Sequence, residues 1–494
     1  MTLLYARTLS IEHYPITNYT QVSPYNLWTV RFLRALTVLF FLITFAWWVL
    51  LLVSIFVSPP GMHTHGSGFF DFAYTCLTLG NLLVALVFFA NPSSAMRISA
   101  AVLATLLLID VIIIVAVKQV RHEESWVGIA SVIWAFVIGT FCVLVDRVVA
   151  WGKREEEERL TGRPETRRTL REWVAVLIAT IILVLYSIIV LLMTFTLILR
   201  SRDASLEMPG KSYTVDGGKY DVHLACYGNA TKVPTMILES GELPSEGGFE
   251  RWAYAAVTNG TIGRYCFWDR PGYAWSDNAP SPHSAGMSAD ALSEALVQAK
   301  ETGPWFLVSA GYGSVVSRVF GARHSHDIAG IMLVDGLHED LLGNIGSPGR
   351  GFALWGWGIL SPLGVRRILG AVFMGRTRQD RVYGRSANLG GKLLKAKLQE
   401  NLVADSLTFN EVVQSRAIID RKIPLVVISS GKEISKNKDW ETKQRDLTNL
   451  SDTLVAWTTV KAAPHEIWKT LEGRNALDSG LQHLVDAATN KTQS

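Results

Sequence analysis

Residues 305–324 read WFLVSAGYGSVVSRVFGARH, from Trp305 to His324. Trp305–Ser309 is apolar until its last residue, the pattern of a strand with no exposed face. Ser309-Ala310-Gly311-Tyr312-Gly313 follows, and small residues at both outer positions let the chain turn sharply from strand into helix. The apex of that turn is Gly311, which offers no side-chain atom.

Similar short runs lie on both sides of this stretch, at Val222–Ala225, Thr235–Leu238, Arg264–Trp268, Gly330–Val334 and Pro424–Ser429. Most are too apolar to keep one face in water, so they predict a largely parallel sheet covered by helices on both sides. Residues 200–494 are ample for one such domain plus an insertion.

The chain before residue 200 has a different texture. Of the 494 residues, 49% are hydrophobic, too many for an ordinary soluble protein. The excess sits in five runs, Phe32–Val57, Phe69–Ala90, Ile98–Val117, Val127–Val145 and Trp173–Leu199, each long enough to cross ~30 Å of hydrocarbon. We expect an N-terminal segment over 1–31 without the short apolar core of a cleavable signal peptide. Five transmembrane helices over 32–199 then precede a globular domain over 200–494. The loop 152–172 mixes both charge signs densely and reads as a solvated loop or short helix with i,i+4 ion pairs. Asp110 sits mid-span and must face other helices, as a functional group in a polar pocket or as a protonated residue bonded to a neighbouring helix.

Net charge is +4, which gives no case for nucleic-acid binding. Assuming alternate crossings, Arg7, Arg31, Arg34, Arg97, Arg147, Lys153, Arg154, Arg159, Arg163, Arg167, Arg168 and Arg171 gather on one side, against Lys118 and Arg121 on the other. The positive-inside rule then places the N-terminus in the cytosol and the globular domain in a lumen or outside the cell. Four Asn-x-Ser/Thr acceptors, at Asn229, Asn259, Asn449 and Asn490, all fall in that domain and agree with a glycoprotein of the secretory pathway or plasma membrane.

From about Tyr213 onward, motifs occur in a telling order. YDVHLACYG, TMILESGELPSEGGFERW, RYCFWDRPGYAWSD, the opening stretch, GIMLVDGLHEDL, IPLVVISSGK and VKAAPHEIW resemble the α/β-hydrolase superfamily's strands two to seven and its histidine loop. The resemblance implies an α/β fold: a mostly parallel α/β-hydrolase sheet with a lid insertion at about 341–421, preceded here by an all-α bundle of about five transmembrane helices. It also implies site residues. Gly311 stands where the family carries its nucleophilic serine; Ser309, still on the strand, and Ser314, already in the helix, are misplaced for that role. His465 matches the general base. Asp335, after strand six, matches the acid position that some members use, with Glu433 a weaker candidate, and a hydrogen-bonding loop residue is the alternative for Asp335. Backbone N–H groups of Tyr312 and Glu242 match the oxyanion hole.

The expected lid contains FALWGWGILSPLGVRRILG, read either as a helix packed over the pocket or as a segment resting on the bilayer with Trp355 and Trp357 at its surface. Either way the cavity beneath is expected to be apolar. Of four cysteines, Cys76 and Cys142 lie in spans, so neither a metal site nor a cofactor is expected. Cys226 and Cys266 fall on strands that the family places side by side, and could be bridged in an oxidising lumen. Two functions follow: a pseudoenzyme that binds an apolar or lipid-like ligand or a membrane protein partner, or an active esterase or lipase using a displaced nucleophile or activated water.

Overall fold

A computed structural model describes residues 27–162, 168–230 and 233–493. Residues 1–26 of the expected N-terminal segment and 163–167 of the charged loop lie outside the described residues. Five helices are long and apolar enough to cross a membrane: α1 (Trp28–Phe56), α2 (Phe69–Val87), α3 (Ser94–Ala116), α4 (Lys118–Thr161) and α5 (Leu170–Asp203). They cover the five predicted runs. Helix α4 extends through the first half of the charged loop and is interrupted near its start, where Ser125 takes φ +56°.

Polar contacts inside the bundle explain its buried hydroxyls and its one mid-span carboxylate. Asp110 is buried on α3 and accepts hydrogen bonds from Tyr74 Oη of α2 (2.9 Å) and Thr194 Oγ1 of α5 (2.6 Å). Trp47 and Trp134 bond Ser131 and Thr44 between α1 and α4. In hydrocarbon such groups need partners; these find them on neighbouring helices, while Thr37, Thr75 and Thr78 bond carbonyls of their own helix.

The rest of the chain builds one eight-stranded sheet: β1 (Lys211–Val215), β2 (Tyr220–Gly228), β3 (Thr235–Glu239), β4 (Arg264–Trp268), β5 (Trp305–Ala310), β6 (Ile328–Val334), β7 (Leu425–Ser430) and β8 (Leu454–Val460). The spatial order is β1-β2-β4-β3-β5-β6-β7-β8, with β2 antiparallel to its neighbours and β3 to β8 parallel. This is an α/β-hydrolase sheet. Helices α6 (Phe249–Thr258), α7 (Ala285–Ala299) and α8 (Gly313–Arg323) fill the connections. Between β6 and β7 lie α9 (Leu342–Ile345), α10 (Pro348–Leu360), α11 (Val365–Phe373), α12 (Arg378–Val382), α13 (Gly391–Val403) and α14 (Phe409–Ile418), and α15 (Gly431–Lys436), α16 (Lys438–Leu447) and α17 (Leu471–Gln493) close the chain.

Strand alternation divides the core in two. Leu307 of β5 points with Ile237 and Val427 toward α7 and α8, while Phe306 and Val308 point with Met236 and Val426 toward α6 and α17. Every residue of β3, β5 and β7 is buried, which is why these strands are apolar except toward their ends. The edge strands β1 and β8 are largely exposed, and the apolar-run reading passes over them.

The inserted lid bridges two bodies. Gly358 of α10 lies against the Phe69 ring, where a Cβ would come within 2.1 Å, so only glycine lets α10 approach α2 this closely. Trp355 packs beside Phe56 at 6.4 Å, whereas Trp357 is 52% exposed. Arg381 of α12 grips Asp203 at the end of α5 through bonds of 2.6 to 3.1 Å. The segment thus packs on the membrane helices α1 and α2, a contact that neither sequence reading of the lid named.

Cys226 and Cys266 face each other across β2 and β4 with Cα atoms 4.0 Å apart and form a disulfide. Under denaturing, non-reducing conditions Cys76 and Cys142 should alkylate while Cys226 and Cys266 should not. Replacing both bridged cysteines with serine should cost about 2–4 kcal/mol of stability, read as a lower unfolding midpoint in detergent.

Candidate active site

The sharp turn after β5 is built by exclusion of side chains. Gly311 takes φ +50°, and a Cβ added to Gly313 would come within 2.3 Å of the Ser240 carbonyl oxygen. Gly241 is less crowded but still tight: a Cβ there would be 3.1 Å from the Ala310 carbonyl oxygen. The Gly311 N–H donates to Val334 O (3.3 Å), and its carbonyl accepts from the backbone of Ser314 and of Leu337 (both 3.1 Å), so the turn is tied to β6 and to α8. The loop holding Glu242 is therefore brought directly against the apex.

Above the apex is His465, from the loop after β8. A Cβ built on Gly311 would lie 2.8 Å from His465 Nε2. The other ring nitrogen, Nδ1, bonds Asp335 Oδ2 at 2.6 Å. Asp335 is fully buried just past β6, in the left-handed region at φ +47°, and its second oxygen accepts from the Ser430 N–H (3.0 Å) and Trp440 Nε1 (2.8 Å). Burial would pull the His465 imidazole below its ordinary value, but the hydrogen bond and negative charge of Asp335 outweigh it, and the net direction is upward. Glu433 pairs with Lys436 and makes no bond to the imidazole.

Neither nearby serine reaches the imidazole. Ser314 Oγ donates to the Gly311 carbonyl (2.7 Å) and accepts from the Leu337 N–H (2.9 Å), so it serves the turn. Ser309 is buried on β5, and its hydroxyl has no partner. Among the described residues no hydroxyl hydrogen-bonds His465.

Sequence reasoning did not single out Arg270, from the segment after β4, which organises the loop holding Glu242. Its guanidinium donates to Glu239 Oε1 (2.7 Å), to the Gly241 carbonyl (2.6 Å) and to Glu400 Oε1 of α13 (3.2 Å). Because a trans peptide points its C=O and N–H in opposite directions, holding Gly241 O turns the Glu242 N–H away from Arg270. Burial pushes the Glu239 carboxyl up to about 7 in spite of Arg270. Arg350 of α10 and Lys397 of α13 approach the Glu242 carboxylate at 3.6 and 3.8 Å. The lid side of the site is thus charged, not the apolar lining expected. A cleft of about 570 Å³ lies elsewhere, between the end of α5 and helices α11 and α12, where Arg202, Arg376, Arg378 and Arg381 line it.

A family model described as a region of unknown function, DUF2417, matches residues 7–226. An uncharacterized protein of Schizosaccharomyces pombe, C23C11.06c, is 32% identical over 487 residues, covering 92% of this chain and 90% of that protein. The uncharacterized vacuolar membrane protein YNL115C of Saccharomyces cerevisiae is 27% identical over 383 residues, 65% of this chain and 59% of its own length. Among solved structures, MGS-M2, an α/β-hydrolase enzyme from a Medee basin deep-sea metagenome library, aligns at 13% identity and a TM-score of 0.41, over 55% of this chain and 96% of that one.

The raised imidazole value sets a pH dependence. A histidine that binds its proton more tightly when folded contributes fully to stability below about pH 6.5, and the contribution fades as pH rises through the folded value. Melting curves of wild type and Asp335→Asn, taken from about pH 5 to 8, should separate most at the acid end. A constant separation would mean that the pair adds no proton-linked stability.

Proposed function

We infer that this protein, which belongs to the family of the Schizosaccharomyces pombe protein C23C11.06c, is a membrane-anchored hydrolase-like receptor that binds a lipid-like ligand and turns it over slowly or not at all. One observation carries the reading: beneath a well-formed His465–Asp335 pair, the position that a nucleophile would occupy is the bare Cα of Gly311, and the imidazole stands 2.8 Å from where a Cβ would start. Removing the nucleophile of a serine triad costs about a millionfold in kcat, and ~10³–10⁴ over water remains from binding and the oxyanion donors. The Tyr312 and Glu242 amides are backbone groups, so a carbonyl or carboxylate oxygen can still be held there. A displaced serine has less support, because Ser314 is committed to the turn and Ser309 to the strand.

A lipid-like ligand is favoured by where the lid sits. Phe352, Trp357, Val372 and Phe373 are exposed on α10 and α11, which pack on the ends of membrane helices, so the apolar belt of the bundle continues onto the lid. The charged groups beside Glu242 suit the polar end of such an amphiphile. We assign the N-terminus to the cytosol and the sheet domain to the lumenal or external side. The asymmetry of Lys and Arg supports this, and so does the surface exposure of Asn229, Asn259, Asn449 and Asn490.

Incubation with a serine-reactive fluorophosphonate should leave the native chain unlabelled and label Gly311→Ser, with His465→Ala abolishing the gain. Serine at that backbone geometry should cost ~1 kcal/mol and must displace the imidazole slightly. Labelling of the native chain that depends on His465 would overturn the reading. Glycosidase treatment of protein from a eukaryotic host should increase its mobility on gels, and no shift would count against the assigned topology.

A further inference from the structure

The α1–α2 connection carries His63-Thr64-His65, a pattern that the mechanism above leaves unused. His65 meets two other groups at the joint between bundle and sheet domain: His122 in the first turns of α4, and Asp277 in the segment after β4. His65 Nδ1 lies 3.1 Å and His122 Nε2 2.9 Å from the same oxygen, Asp277 Oδ2, and all three atoms lie within 4.8 Å of one another. The two imidazole rings are stacked at 4.2 Å. Asp277 Oδ2 also accepts the Asp221 N–H at 3.2 Å, which fixes the carboxylate.

Hydrogen bonds satisfy this arrangement only in part, since His122 Nε2 bonds Asp277 Oδ2 and His65 does not. His65 Nδ1 is buried and, despite its distance, has no hydrogen bond of acceptable geometry. A single divalent cation satisfies both ring nitrogens and the shared oxygen together. In a tetrahedral site with bonds of ~2.0–2.1 Å, ligand atoms stand about 3.4 Å apart, a few tenths of an ångström beyond the contacts seen. A second orphan lies alongside: His63 Nε2 is buried without a partner, its ring 5.3 Å from that of His65.

We propose that His65, His122 and Asp277 form a binding site for a zinc-type divalent transition metal ion, with the fourth position left to water or to His63. Two imidazoles and one carboxylate suit zinc far better than magnesium or calcium, which prefer all-oxygen sites. The three ligands come from a membrane-side loop, a membrane helix and the sheet domain, so the ion pins the domain to the bundle. The proposal does not depend on whether Gly311 is a disabled nucleophile.

Tag-free, full-length protein in detergent, dialysed against a chelator and titrated with zinc chloride, should take up about one equivalent per chain and melt at a higher temperature when loaded. His122→Ala, at a partly exposed position, and His65→Ala should each weaken binding on the order of 100-fold while the metal-free melting curve stays close to wild type. His338→Ala, in a separate His–Glu–Asp cluster, should bind like wild type. Failure of the wild type to retain zinc, or equal binding by His122→Ala, would overturn the proposal. If both substitutions fail to fold, His63→Ala and zinc-edge X-ray absorption on the wild type decide it, since absence of nitrogen ligands in the spectrum would exclude the site.

Discussion

The space above Gly311 governs what this domain can do. Strand β5, the glycines at 241 and 313, and the His465 ring converge until an extra methyl group would already touch the imidazole. Packing this close is affordable only because the apex is glycine at a positive φ, and it has let the ring settle over the turn instead of standing back from a hydroxyl. The hydrogen bonding around Asp335 is nonetheless complete, with the carboxylate accepting from Ser430, Trp440 and, through its other oxygen, His465. A buried carboxylate so fully partnered holds its loops together whether or not a reaction follows. That gives a physical reason for the pair to persist beside an apex with nothing to deprotonate.

The second governing feature is the seam between bundle and sheet domain. Ser58 and Ser281 exchange two hydrogen bonds across it, Lys395 of α13 donates to the Ile55 carbonyl at the end of α1, and Arg381 closes on Asp203. These groups are largely buried, so separating the two bodies would expose unpaired charges and backbone polar groups as well as apolar surface. The sheet domain is therefore carried in one orientation relative to the membrane, with the lid side of its site toward the bundle.

Much of this was legible in the sequence, and the reasons are specific. The five spans announce themselves because hydrocarbon tolerates few alternatives to a long apolar helix. Strands β3, β5 and β7 are legible because both faces are buried, whereas β1 and β8, at the edges, carry too mixed a pattern. His465 and Asp335 could be placed by their order after β8 and β6. Trp440 could not, since it sits in a strongly charged helix and reaches Asp335 only through tertiary structure. Arg270 and Glu400 are 130 residues apart in sequence, and no local pattern relates them. The apolar lining expected beneath the lid was inferred from lid composition; in the fold Trp355 packs beside Phe56 of α1, Phe352, Trp357, Val372 and Phe373 are exposed, and Arg350 approaches Glu242.

Docking of the lid on α2 and α5 reverses the usual mechanics of a covered pocket. Where a lid is a flap hinged on a heavy body, thermal motion swings the flap. Here the flap is riveted to the lipid-embedded half, at Gly358 against Phe69 and at Arg381 with Asp203. The sheet domain is held to the same half at Ser58 with Ser281 and at Ile55 with Lys395, so any opening of the site would have to break cover and seam together, and the lipid phase is the common frame of reference for both.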